Sequence, residues 1–249
     1  MSSTPTESGD NIVKTQSRRF FFPDGNIVFS VRTNLPHRTY SYSNRQVEDT
    51  LYKVHRHFFE SYSEIFADMF SLPTADGEQP EGQSDRNPIV LEDVKQQDFE
   101  CFLSVMYPSY VSQNRKQDSK YNYHHSDFSK SDSQTVDDWT GVLCLASRWE
   151  FTSIRLLAIN QLTMIASPIE RITRGVAYNV KNWLLPAYTE LCTRDDPLNL
   201  EEGLKLGIRD VIFIGQLRSS IRRESGFRYN FEQIIAEELE SHVPSPERL

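Results

Sequence analysis

Residues 49–73 read DTLYKVHRHFFESYSEIFADMFSLP, and the change of period inside them decides the fold. Leu51, Lys53 and His55 fall on one side of an extended chain and Tyr52 and Val54 on the other, the period-2 pattern of a short strand. Then Phe58, Tyr62, Ile65, Phe66 and Met69 recur at three- and four-residue steps, which stacks them on one helical face, while Glu60, Glu64 and Asp68 fall mainly on the polar side. Burying one Phe or Ile contributes roughly 1.5–3 kcal/mol, so this face is expected to find a partner. Ser61 to Glu64 reads as a capping box and Ser63 is itself a good N-cap, which predicts two short helices, 55–60 and 63–71.

Outward from this stretch the chain keeps mixing strands and helices. Upstream, Phe20-Phe21-Phe22, Pro23-Asp24-Gly25-Asn26 and Ile27-Val28-Phe29-Ser30-Val31 predict strand, tight turn and strand. Residues 1–17 are polar and aperiodic and read as a disordered leader; residues 32–48 read as an extended loop. Downstream, Thr74 to Asn87 is a solvated loop and Pro88-Ile89-Val90-Leu91 a short strand. Phe99, Phe102, Leu103 and Met106 follow at helical spacing, and Tyr107-Pro108 closes that helix. Residues 109–135 carry almost no aliphatic side chains and read as a mobile insertion, either a spacer or a partner-specific or phosphorylated segment.

From Val136 the pattern is helical throughout. Trp139, Val142, Leu143, Ala146 and Trp149 mark one helix and Ile154, Leu157, Ala158, Leu162 and Ile165 the next, with a bend at Glu150 to Ser153. Ser167-Pro168 opens a third as N-cap and N1 proline, through Ile169, Ile172 and Val176. Further helices are expected at 182–193 from Asn182, at 198–206 capped near Asn199, at 210–223 with Asp210 as cap, and from Phe231 to Leu239.

Composition bounds the partners. The 249 residues carry a formal net charge of -8, which weighs against a nucleic-acid surface because phosphate contacts need clustered Lys and Arg. Hydrophobic content is 38% yet aromatics reach 12%, the balance of a compact core with polar additions. Cys101, Cys144 and Cys192 are far apart and odd in number, which fits a reducing compartment. The opening MSSTPTESGD lacks the basic start and apolar run of a secretory signal, and no segment approaches the ~18 apolar residues of a membrane span. These features predict an intracellular protein, cytoplasmic or nuclear, with no membrane attachment.

Motifs for chemistry are absent from the sequence: it contains no GxGxxG, GxxxxGK, HExxH, GxSxG or CxxC. His55 and His57 sit two apart, a poor spacing for ligands on a helix, and His124-His125 are far away. They read as a strand-end cap and a helix-surface residue, and the acidic pairs Glu48-Asp49, Asp137-Asp138 and Asp195-Asp196 as caps and dipole partners. No catalytic, metal or cofactor site is expected, and no cofactor; a hydrolase or metal-dependent enzyme using His55, His57 or the carboxylates is the remote alternative.

DTLYKVHRHFFESYSEIFADMFSLP, preceded by DGNIVFSV and followed by PIVLEDVKQQDFECFLSVMYP, resembles the BTB (POZ) domain, in particular the BTB proteins of basidiomycete fungi. The motif residues are Tyr52, Val54, His55 and Arg56 at the strand end, Ser63, Phe66, Met69 and Phe70 in the helix pair, and Tyr107. The helices after Val136 are similar in layout to the extension that follows many such domains. The resemblance implies an α+β fold, a small sheet covered by helical hairpins over residues 18–166, followed by an all-helical extension over 167–240 and a polar tail at 241–249. It assigns Tyr52, Val54, Phe66, Met69 and Phe70 to the core. It implies a non-enzymatic module for association with proteins, by homo- or hetero-dimerisation, with adaptors of cullin ubiquitin ligases and transcriptional regulators among its members. Two departures stand out. Cullin-binding members carry a hydrophobic-any-Glu motif after the helix ending at Tyr107, and residues 109–135 contain no Glu. Residues 1–17 also lack the periodicity of the long N-terminal helix that many dimeric members exchange. The partner surface is not readable from the sequence.

Overall fold

A computed structural model of the chain describes residues 13–33, 48–73, 79–108, 135–224 and 231–242. Its contacts divide it into two compact units, one of Met1–Gln134 with Leu145–Ile154 and one of Thr135–Cys144 with Arg155–Leu249. The lines between them fall inside the helices on either side of Glu150. The insertion expected at 109–135, apart from Thr135, lies outside the described residues, as does most of the 32–48 loop. So do residues 1–12 of the leader and all but its first two residues of the tail at 241–249.

The first unit is built on four strands, β1 (Val13–Phe21), β2 (Ile27–Thr33), β3 (Glu48–Val54) and β4 (Ile89–Leu91), in the order β1-β3-β2-β4. β1 begins at Val13, so residues 13–17 are strand and not leader. The Pro23–Asn26 turn does not fold β1 back onto β2. It steps across β3, which pairs parallel with β1 and antiparallel with β2. Gly25 sits where an added Cβ would come within 2.9 Å of the Lys53 carbonyl group, so the crossing needs a residue without one. The β1 ladder shifts register between Gln16 and Phe21, and there the Ser17 hydroxyl accepts from the Arg19 and Phe20 amides.

Helices α1 (Arg56–Tyr62), α2 (Glu64–Ser71) and α3 (Gln96–Met106) accompany this sheet. The break between α1 and α2 is Ser63, extended at φ -141°, whose side chain accepts from the Phe66 amide as an N-cap should. The capping box from Ser61 does not form: Ser61 lies inside α1, its hydroxyl 3.2 Å from His57 Nδ1. The core differs from the sequence stripe. Phe59, outside that stripe, is fully buried; Phe66 is buried; Tyr62 and Ile65 are exposed; Met69 and Phe70 are half-buried. Phe29, Tyr52, Phe59, Phe66, Phe99, Phe102, Trp149 and Phe151 form one continuous aromatic cluster, with ring centroids 4.8 to 6.1 Å apart in mostly edge-to-face pairs.

The remaining helices are α4 (Val136–Arg148), α5 (Thr152–Ile165), α6 (Pro168–Ala177), α7 (Leu184–Thr193), α8 (Leu200–Leu206), α9 (Ile208–Glu224) and α10 (Phe231–Ser241), with a 3₁₀ turn at Lys181–Trp183 before α7. Glu150, at φ 56°, makes the bend between α4 and α5. Ser167 and Asn199 each form a full capping box, with Glu170 and Glu202. Gly207, at φ 84°, ends α8 and starts α9 one residue later. Asp210 is therefore inside α9 and is no cap. It is buried, accepts a hydrogen bond from the Tyr188 hydroxyl and lies 2.8 Å from His242 Nε2. Ile169, Ile172, Leu191, Ile214, Leu217 and Ile235 fill the core between these helices. Among the described residues no helix is long and apolar enough to cross a membrane.

Candidate interaction surfaces

The motif residues gather at the junction of β3 with α1 and α2, in three groups. At the end of β3 the His55 amide donates to the Tyr107 hydroxyl at 3.0 Å, His55 Nδ1 lies 3.3 Å from the same oxygen, and Nε2 lies 3.4 Å from Asp24 Oδ2. The imidazole stacks on Phe22 at 5.4 Å, and Tyr107 packs on Phe22 and Phe58. Arg56 forms the second group: its Nε donates to Glu60 at 2.7 Å, its guanidinium lies 4.5 Å from the Phe70 ring centroid, and it donates to the Phe70 carbonyl. Ser63 and Phe66 form the third. The Ser63 hydroxyl accepts from Phe66 while donating to the Trp149 carbonyl at 2.6 Å, and the Phe66 ring meets Trp149 at 5.5 Å.

Tyr52 and Val54 are fully buried on β3. The Tyr52 hydroxyl donates to Glu100 Oε1 at 3.0 Å. Burial first, and the nearby Glu100 charge second, push that phenol well above the ordinary tyrosine range, so it stays protonated. Met69, half-buried, brings no polar group to any of the three clusters. The parts that Glu100, Trp149 and Asp24 play here are not legible in the sequence, because they depend on partners tens of residues away.

This arrangement is a frame that ties β3 to the helices around it. The polar groups of the motif are turned to other parts of the same unit, and exposed His57 has the Ser61 hydroxyl 3.2 Å from its Nδ1. His124-His125 lie outside the described residues. Among the described residues no group of three His, Cys, Asp or Glu is placed to hold a metal ion. One open groove of ≈ 650 Å³ lies along β1, lined by Lys14, Gln16, Leu51, Asp85 and Arg86. Lys14 and Gln16 already bond Asp85 there, which leaves little to orient a small ligand.

What the units turn outward is apolar in places. In the first, Tyr62, Ile65 and Leu72 are exposed on α1, on α2 and just past α2, and Val90 on the edge strand β4. In the second, Leu156 and Met164 are exposed on α5, and Leu200, Leu204, Ile208 and Ile212 on α8 and α9. Such exposed side chains in groups are a mark of contact surfaces.

Residues 45–134 match the family model of the BTB/POZ domain. The match takes in β3, α1, α2, β4 and α3; β2, which lies between β3 and β4 in the sheet, precedes it. No curated protein matches the chain.

Proposed function

We propose that this chain, which carries a BTB/POZ domain, is a non-enzymatic association protein that pairs with itself and with other proteins through that domain. The domain match carries the reading, because BTB/POZ domains are protein–protein interaction modules. The inward commitment of His55, Arg56, Ser63 and Tyr107 supports it, since these polar side chains hold the frame together. Exposed Tyr62, Ile65 and Leu72 supply apolar contact area on the same domain. The three cysteines are free, in keeping with an intracellular setting.

Light scattering on the purified chain tests the reading. A mass of two chains of 28.9 kDa each, or a defined complex with a captured protein identified by mass spectrometry, is expected. A strictly monomeric chain that captures nothing refutes it. Service as an adaptor for a cullin ubiquitin ligase, or in transcription, is a use such a module can have. In the first case a cullin co-purifies, and its absence removes that use while leaving self-association standing.

A further inference from the structure

Two consecutive helices of the second unit present aliphatic side chains to solvent after their inner faces are filled. On α8, Leu206 is buried while Leu200 and Leu204, four apart on one face, are 79% and 76% exposed. On α9, Phe213, Ile214 and Leu217 are buried while Ile208 and Ile212 are 71% and 53% exposed. Exposed Leu or Ile scattered singly is normal for a protein surface, but four within thirteen residues is not.

The charges beside them say what covers them. Glu201 and Lys205, the next row on α8, are both exposed and joined at 2.9 Å. A row of Leu200 and Leu204 beside a row of Glu201 and Lys205 is its own complement when reversed. About a two-fold axis through the middle of α8, Leu200 meets Leu204 of a second copy and Glu201 meets Lys205 of that copy. An anionic membrane or a single-signed partner would instead favour one sign of charge along the rim. Gly215 extends the exposed face of α9 three residues past Ile212, and an added Cβ there would meet no atom within 4 Å. Among the described residues nothing lies close enough to call for glycine at that point, whereas a glycine lets a second backbone approach closely.

We propose that α8 and the first turns of α9 form an isologous contact with a second copy of this chain, separate from any contact made by residues 45–134. The test uses the full chain in light scattering over a concentration series, comparing wild type with Leu204→Glu, Glu201→Lys and the exchange Glu201→Lys with Lys205→Glu. All three positions are exposed, so the circular dichroism spectrum should stay that of the wild type. Leu204→Glu should lower the assembly by a factor of two in mass. Glu201→Lys, which sets lysines against lysines, should weaken it most at low salt, and the double exchange should restore it because the complement is rebuilt. If the BTB/POZ domain also pairs, the step is from more than two chains to two; if it does not, from two to one. Either step supports the contact. A mass of two chains in every variant overturns it while leaving pairing through the domain intact, and a monomer in every variant overturns both.

Discussion

Replacing Phe66 by alanine is the sharpest test of the aromatic packing in the first unit. The ring is 3% exposed and lies 5.0 Å from Phe59, 5.5 Å from Trp149, 5.8 Å from Phe29 and 6.1 Å from Phe151. Losing the buried ring forfeits roughly 1.5–3 kcal/mol of transfer free energy. A remnant cavity of roughly 50–100 Å³ adds about 1–2 kcal/mol at ~24 cal/mol per Å³. The neighbours come from β2, α1 and the bend after α4, and rings anchored in separate elements collapse poorly into a gap. We therefore expect the loss at the upper part of the ~3–5 kcal/mol range for Phe→Ala, a large share of the ~5–15 kcal/mol that holds a domain folded.

Urea unfolding followed by circular dichroism and tryptophan fluorescence measures it. Trp149 belongs to the same unit as Phe66, whereas Trp139 and Trp183 belong to the other, so the shift should appear in the transition that Trp149 reports. Ile65→Ala is the control: one residue away, 40% exposed, it should cost less than ~1 kcal/mol. A loss below ~1.5 kcal/mol for Phe66→Ala, or a larger one for Ile65→Ala, would refute the assignment of faces.

Ser63→Ala should cost about 1–2 kcal/mol in the same urea assay, because it removes the cap on α2 and leaves the Trp149 carbonyl without its donor. Tyr52 and Tyr188 are both held protonated above the ordinary tyrosine range, by burial first and then by Glu100 and Asp210 respectively. The unfolded chain gives up these protons near pH 10 and the folded chain keeps them, so their contribution is complete below about pH 10 and falls as pH rises beyond it. Urea midpoints at stepped alkaline pH should therefore fall less steeply for Tyr52→Phe than for wild type. Glu202 is held down to about 2, chiefly by its hydrogen bond from Arg194. Its contribution is present above its usual 4.5 and lost as pH falls towards 2. As a partly exposed pair it is worth no more than ~1 kcal/mol, and Glu202→Gln should flatten the acid limb of a stability–pH curve by that amount.

What the sequence shows of this fold is what is local. Ser63, Ser167 and Asn199 were readable as caps because a cap and the amide it serves lie three residues apart. The apolar stripe from Phe58 to Met69 failed for a related reason. Ser63 is extended, α1 and α2 are two helices, and helical phase does not carry across the break, so Phe59 faces the core while Tyr62 and Ile65 do not. Asp210 has the residue type and place of a cap, but Gly207 starts α9 early and carries Asp210 inside, where its partners Tyr188 and His242 are 22 and 32 residues away. Strand order was illegible because β1 and β2 are neighbours in sequence and separated by β3 in space. The motif residues were identified from the resemblance, yet no local pattern announces that Tyr107 closes on His55 or that Ser63 reaches Trp149.

His55 and Arg56, the residue types most suggestive of chemistry, are occupied with contacts inside their own unit. Both imidazole nitrogens and the guanidinium are engaged within the unit, by Tyr107 and Asp24 and by Glu60 and Phe70. A general acid or base must meet a substrate group at hydrogen-bond distance, and a cation bound for a partner must leave its internal contacts first. These side chains do neither without loosening the junction of β3 with α1. The apolar side chains left outward are others: Tyr62, Ile65 and Leu72 in the stretch that matches the BTB/POZ model, and Leu200, Leu204, Ile208 and Ile212 on α8 and α9, and it is on these that the proposed contacts rest.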